Sequence, residues 1–275
     1  WRLVAADGAP VTELLEVVRA SAKGGASVKR SDQSMPLDGL VFAAPIPKPI
    51  RNLFCVGKNY HEHAKEFAAS GYDSTAKNST DAVPDFPIIF SKVPECVIAH
   101  EEPVLYPTGV TTSLDYEAEL AVIIGKKAKN VSRADALKHV LGYTCANDVS
   151  ARDWQKQGGG GQWCRGKSFD TFCPLGPALV TADEIPNPNT LSIKTVLNGE
   201  TMQDWNTNDM IFDVPTLIEF LSGSTTLMPG TVILTGTPHG VGAARTPPVF
   251  MKDGDTVSVE IAQIGTLTNP VRDEA

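Results

Sequence analysis

Ser113-Leu114-Asp115-Tyr116-Glu117-Ala118-Glu119-Leu120-Ala121-Val122-Ile123-Ile124-Gly125 decides how the rest of the chain is read. Its second half is β-branched and apolar and ends at Gly125, which predicts a buried strand. Side chains alternate along a strand, so Asp115, Glu117 and Glu119 share one face and Tyr116, Ala118 and Leu120 the other. Neighbours on one face stand about 6.6 Å apart, two strand rises. Carboxylates at that spacing, leading into an apolar run, repel one another and lose hydration. A divalent cation answers both problems, and paired hard oxygens suit Mg²⁺ or Mn²⁺. A solvated acidic face with a paired carboxylate at its inner end would read the same way, so distant partners must decide.

Upstream, Leu53-Phe54-Cys55-Val56-Gly57 reads as a short buried strand and Lys58-Asn59-Tyr60 as the turn out of it. A helix is expected over 61–69, where His63 and Glu66 are three apart and share a face. A carboxylate beside an imidazole orients the ring and raises its basicity, as a general base requires. A plain surface ion pair has the same spacing. Residues 70–85 are rich in Gly, Ser, Asn and Asp and read as a loop, either a lid over the site or a spacer. Core character resumes at 86–92.

Downstream, residues 131–140 have amphipathic helical spacing with Ser132 as N-cap. Residues 141–148 read as a strand ending in polar residues. Asp148, at its end, can converge on the Glu117/Glu119 face or can begin a turn before the helical 150–155 segment. Gly158-Gly159-Gly160-Gly161 lacks the spacing of a nucleotide loop and reads as a hinge or loop tip. Lys167 is an interior-looking cation that either pairs with an acid or stabilises a developing oxyanion. The 172–177 stretch after it is rigid and apolar. A strand and hairpin turn at 191–199, a loop at 205–210, an amphipathic helix at 214–222 and a strand at 257–261 complete the outline. Leu234-Thr235-Gly236-Thr237-Pro238-His239-Gly240-Val241-Gly242 is a glycine-rich strand exit whose N–H groups and Thr237 hydroxyl can approach a carboxylate.

Composition bounds the function classes. Of 275 residues, 42% are hydrophobic and 20% charged, as in an ordinary globular protein, and the net charge of −8 disfavours nucleic-acid and anionic-membrane partners. No apolar run reaches a membrane span. The five cysteines form no CxxC pair and suit reduced thiols in the cytoplasm. Residues 1–48 read as a small N-terminal appendage with a helix at 11–20. The Pro-rich stretch 44–49 connects it to a main domain over 49–275.

With these pieces in order, the sequence resembles the fumarylacetoacetate hydrolase family, especially its acylpyruvate-hydrolase-like members. The motifs are Gly57-Lys58-Asn59-Tyr60 with His63 and Glu66, Asp115-Tyr116-Glu117-Ala118-Glu119-Leu120, Asn147-Asp148-Val149-Ser150-Ala151-Arg152-Asp153, Lys167-Ser168-Phe169-Asp170, and the 234–242 exit. The resemblance implies a β-rich α+β fold of rolled mixed sheets and a homodimer. It implies Glu117, Glu119 and Asp148 as ligands of Mg²⁺, with Mn²⁺ or Ca²⁺ as substitutes. It makes His63 and Glu66 the catalytic dyad, Lys167 the catalytic lysine, and Arg152, Gln155 and Thr237 contacts to substrate oxygens. Asp115 is expected behind the ligands rather than among them. The implied reaction is hydrolysis of a C–C bond in a 1,3-dicarbonyl 2-oxo acid of the acylpyruvate or fumarylpyruvate type, as met in aromatic catabolism. The alternatives are decarboxylation of oxaloacetate or isomerisation of a 2-hydroxydienedioic acid at the same site, and a non-catalytic metal-binding protein.

Overall fold

The computed structural model describes residues 3–4, 29–30, 41–69, 83–157 and 162–274. The helix expected at 11–20, most of the 70–85 loop and the 158–161 glycine run lie outside the described residues. Strands β1 (Leu3–Val4) and β2 (Lys29–Arg30) pair only with each other. The main unit then runs β3 (Leu53–Gly57), α1 (His61–Ala69), β4 (Ile88–Lys92), β5 (Val97–Ile98) and β6 (Val104–Tyr106). It continues with β7 (Leu114–Asp115), β8 (Ala118–Ile124), β9 (Val140–Asn147), β10 (Ser150–Ala151), α2 (Arg152–Gln157) and α3 (Cys164–Lys167). Last come β11 (Cys173–Thr181), β12 (Ser192–Leu197), β13 (Glu200–Asn206), α4 (Val214–Ser222), β14 (Val232–Leu234), β15 (Thr256–Ile261) and β16 (Gly265–Asp273).

Seven strands form a mixed sheet in the order β4-β3-β14-β8-β9-β11-β5, and five form a second sheet in the order β13-β12-β15-β16-β6. The fold is the expected β-rich α+β type. Every residue of β8 is buried, because both of its faces are covered. Leu120 and Val122 pack with Ile193, Val259 and Leu267 of the second sheet and with Leu217 of α4. Ala121 and Ile123 face the opposite core with Cys55 and Leu234. Glu119 shares that second face by alternation.

The quoted stretch is two strands, not one. β7 pairs with β10, through Asp115 opposite Ser150, while β8 pairs with β9 and β14. Between them, side chains and a strand end take over the ladder. Glu117 N–H donates to Asn147 Oδ1 at 3.0 Å, Ala118 N–H donates to Gln203 Oε1 at 3.0 Å, and Glu117 O accepts Asp148 N–H at 2.9 Å. The expected 131–140 helix is reduced to a 3₁₀ turn over Ala136–His139. Ser132 Oγ bonds the Asp135 carboxylate instead of capping, and His139 O is tied to Gly125 N–H. The polar 205–210 stretch is not simply a loop, since β13 runs through Trp205 and Asn206 before a 3₁₀ turn.

One glycine tests the sheet. A Cβ on Gly142 would sit 2.1 Å from Val180 O of the adjacent strand, a backbone atom that cannot step aside. Gly142→Ala is expected to lose about 1–3 kcal/mol of stability, the usual range for overpacking. A urea midpoint unchanged from the wild type would refute it.

Candidate active site

The candidate site is built where several strand ends meet. Glu117 precedes β8 and Glu119 lies one residue inside it. Asp148 follows β9, which pairs with β8 so that Ala118 faces Asn147. That register brings the three carboxylates together, and oxygens of Glu117, Glu119 and Asp148 lie within 4.8 Å of one another, all buried. The expected trio is therefore assembled in space. Asp115 is not part of it. Its Oδ1 accepts the Tyr116 and Gly242 N–H groups at 2.8 Å each. Its Oδ2 accepts Arg152 Nε at 2.8 Å and Ala243 N–H at 2.9 Å.

Two lysines hold Glu117 and Asp148. Lys167 donates to Glu117 Oε2 at 2.7 Å and Asp148 Oδ2 at 2.9 Å. It reaches them because α3 lies hard against α2: a Cβ on Gly166 would be 2.6 Å from Gln155 N. Lys92 donates to Asp148 Oδ1 at 2.7 Å and to Val149 O at 3.1 Å, with no exposure on either charged side chain. Burial works hardest against the Lys92 charge, but Asp148 together with the Cys96, Cys173 and Cys55 groups around it outweighs burial and pushes the ammonium above its ordinary range. Lys92 was not foreseen as part of the site. Its one signal is a lysine closing an otherwise apolar strand.

Arg152 donates from Nη1 to Gln155 Oε1 at 2.9 Å, and its Nη2 lies 2.7 Å from Glu117 Oε1 as a charge contact rather than an aligned hydrogen bond. Burial pushes the Glu117 carboxyl up, yet the Lys167 and Arg152 cations prevail and hold it down to about 2. Glu119 is pushed the other way. Burial and the neighbouring Asp148 and Glu117 charges raise it well above the carboxylate range, opposed by Lys167 and by a Gly236 N–H donated at 2.7 Å. That N–H reaches Glu119 because Gly236 takes φ +97° and passes so close to Asn59 that a Cβ would stand 2.8 Å from its side chain.

These residues fit a divalent metal. The donors are hard oxygens only, and the crowding by the Asp148 and Glu117 charges that pushes Glu119 up is what a bound cation would relieve. Each carboxylate keeps lone pairs beyond its present contacts. Mg²⁺ at 100 times its Kd is expected to add about 2.7 kcal/mol of stability. The check is the melting temperature after chelation and after Mg²⁺ is restored. Glu119→Gln should abolish the difference, and a melting temperature blind to Mg²⁺ would remove the metal from this site.

The dyad also forms. His63 Nδ1 lies 3.3 Å from Glu66 Oε2, and Glu66 accepts the Gly240 N–H at 2.9 and 3.1 Å. The glycine-rich exit therefore anchors the carboxylate that orients the imidazole. Thr237 Oγ1 accepts Gln203 Nε2 at 2.8 Å, and Gln203 also donates to Pro238 O at 2.7 Å. Gln203, from the second sheet, is a positioning residue that nothing near it in the sequence suggested. A cavity joins His63, Glu117, Glu119, Arg152, Lys167 and Thr237; Gln155 also lines it, as do Phe67, Phe90 and Trp163.

Comparison with known proteins gives the family of the chain. The profile of the fumarylacetoacetate (FAA) hydrolase C-terminal family matches residues 52–272. An oxaloacetate tautomerase of Xenopus laevis, named as mitochondrial, is 44% identical over 260 residues, covering 94% of this chain and 77% of the relative. An oxaloacetate tautomerase of Bacillus subtilis is 46% identical over 228 residues, 83% of this chain and 72% of the relative. Among solved structures, a fumarylacetoacetate hydrolase of Exiguobacterium antarcticum superposes with a TM-score of 0.83 at 35% identity, covering 100% of this chain and 99% of that one. A 2-hydroxyhepta-2,4-diene-1,7-dioate isomerase of Mycobacterium marinum gives a TM-score of 0.75 at 37% identity, with 100% and 98% covered. With the profile matching residues 52–272 and relatives this similar over most of their length, the chain belongs to the fumarylacetoacetate hydrolase family.

Proposed function

We propose that this enzyme interconverts the keto and enol forms of a short 2-oxo diacid such as oxaloacetate. The observation that carries the reading is the His63–Glu66 pair beside the Glu117/Glu119/Asp148 trio, in a chain 44–46% identical to proteins named oxaloacetate tautomerases. In keto-to-enol conversion a C3–H bond breaks, its electron pair becomes the C2–C3 double bond, and the C2 oxygen takes a proton from water, to which the proton collected from C3 is returned. With Nδ1–H donated to Glu66, His63 keeps the Nε2 lone pair to accept the C3 proton. Lys167, whose ammonium is fixed by Glu117 and Asp148, donates a hydrogen bond to the C2 oxygen as charge grows on it. Arg152, Gln155 and Thr237 hold the carboxylate oxygens. A divalent cation on the trio would supply charge stabilisation for a 2-oxo acid whose carbonyl is becoming an enolate.

The expected C–C hydrolysis shares this enolate but also needs water attack on a distal carbonyl. It keeps support from the Exiguobacterium neighbour's name, whereas the tautomerase relatives are the more similar sequences. The first experiment follows the enol absorbance of oxaloacetate, with Mg²⁺ and after chelation. Faster approach to keto–enol equilibrium, with no pyruvate or oxalate formed, is the expected result. Pyruvate release would make the enzyme a decarboxylase, and turnover of an acylpyruvate but not of oxaloacetate would restore the hydrolase.

The five cysteines are all free, which suits a reducing compartment, the cytoplasm or the mitochondrial matrix named for the Xenopus relative. Among the described residues no helix is long and apolar enough to cross a membrane. The homodimer belongs to the same reading, and sedimentation at twice the mass of one chain is expected.

A further inference from the structure

The cavity has a wall that the chemistry above does not use. Phe67 from α1, Phe90 from β4 and Trp163, just before α3, line it together with the charged groups. Trp163 is 5% exposed. It meets Phe90 edge-on at 5.3 Å between ring centroids and Phe67 edge-on at 6.3 Å. Its third neighbour is a missing side chain. A Cβ on Gly57 would lie 2.2 Å from the indole Cζ3 and 2.8 Å from Cη2. The indole therefore occupies the space that Gly57 leaves open at the end of β3, and two phenyl rings box it there. A side chain held on three sides cannot swing clear without cost.

The same wall touches the catalytic cations. Lys167 Nζ stands 5.1 Å from the Phe90 ring centroid, Arg152 Cζ stands 5.5 Å from that of Phe67, and His63 stacks obliquely on Phe67 at 5.5 Å. A substrate gripped by Lys167 and Arg152 must end before it reaches the indole.

We infer that Trp163, seated on Gly57, is a specificity-determining residue that sets the upper length of the substrate. The enzyme takes a short 2-oxo diacid and rejects the extended dienedioates. The inference rests on the proposed function for placing the substrate in this cavity and goes beyond it by naming the residue that selects among 2-oxo acids. Gly57, the first residue of the Gly57-Lys58-Asn59-Tyr60 motif, then acquires a physical reason: only glycine accommodates the indole.

The test compares oxaloacetate with 2-hydroxyhepta-2,4-diene-1,7-dioate in the wild type, in Trp163→Ala and in Trp163→Leu. The ratio of kcat/KM, long over short, is expected to rise about 10- to 200-fold in the variants, the range that hydrophobic-pocket discrimination spans. A ratio unchanged within twofold in a folded variant overturns the inference. Calorimetry on the Mg²⁺-loaded wild type with oxalate, 2-oxoglutarate and 2-oxoadipate reads the length limit without turnover and without any variant. Binding should weaken as the acid lengthens from oxalate through 2-oxoglutarate to 2-oxoadipate, and equal binding of all three overturns the inference. If the short acids bind best but oxaloacetate is not tautomerised, the length limit stands and the proposed reaction falls.

Discussion

Asp115→Ala is expected to cost the fold about 3–5 kcal/mol, the range for breaking a buried ion pair by removing one partner. The carboxylate is fully buried and neutralises Arg152, itself fully buried. It also accepts N–H groups from Tyr116, Gly242 and Ala243. Alanine would leave the guanidinium without its Nε acceptor and three buried amides without theirs, each orphan worth about 1–3 kcal/mol when counted alone. These terms overlap, so the ion-pair range is the better guide. Asp115→Asn keeps the shape and part of the acceptor capacity and should fall between wild type and alanine. Urea unfolding measures both, and a loss below about 1 kcal/mol for alanine would show that Arg152 finds another partner.

The largest expected effect on activity is at His63. His63→Ala should lower kcat/KM for oxaloacetate about 10²- to 10⁴-fold, the usual contribution of a positioned general base. Mg²⁺-dependent melting should be unchanged, because His63 donates nothing to the carboxylate trio. Glu66→Gln keeps an acceptor toward Gly240 and the imidazole but loses the charge, so its loss should be smaller. Full turnover in His63→Ala would move the proton transfer to another group, with Lys167 the first candidate.

Glu117 with Glu119 and His63 with Glu66 can be picked out in the sequence because each pair is local, but their spacing also fits a solvated acidic face and a surface ion pair, and Asp148 also fits a turn; the family resemblance is what joins them into one site. Glu117 and Glu119 lie on one short stretch, His63 and Glu66 on one helical turn, and Asp148 at the end of a recognisable strand. What lay beyond sequence reading was set by distant partners. The quoted stretch looked continuous, but Asn147 and Gln203 side chains replace strand neighbours at Glu117 and Ala118 and split it. β11 carries Pro174, Gly176 and Pro177, which hide a nine-residue strand. β16 alternates between buried and solvated positions with Thr, Asn and Pro among them, so its apolar signal is diluted. Lys167 reads in the sequence as either the partner of an acid or the stabiliser of an oxyanion, and the structure shows the first: the ammonium pairs with Glu117 and Asp148 inside the cavity.

Strand β14 lies between β3 and β8, parallel to the first and antiparallel to the second. It is three residues long and emerges late from the ribosome. Until it is made, β3 with its following His63 helix has no bond to β8 with its carboxylates, and the Gly236 and Gly240 amides that hold Glu119 and Glu66 do not exist. A growing chain can therefore pair β8 with β9 and bring the three carboxylates together, but it can neither hold Glu119 through Gly236 nor hold Glu66 through Gly240 until this strand and its exit are made. Closing that gap joins Ile233 to Phe54 across most of the sequence, the kind of distant pairing that slows folding. Forms truncated before this strand should consequently keep the acidic trio but lack the anchored His63–Glu66 pair beside it.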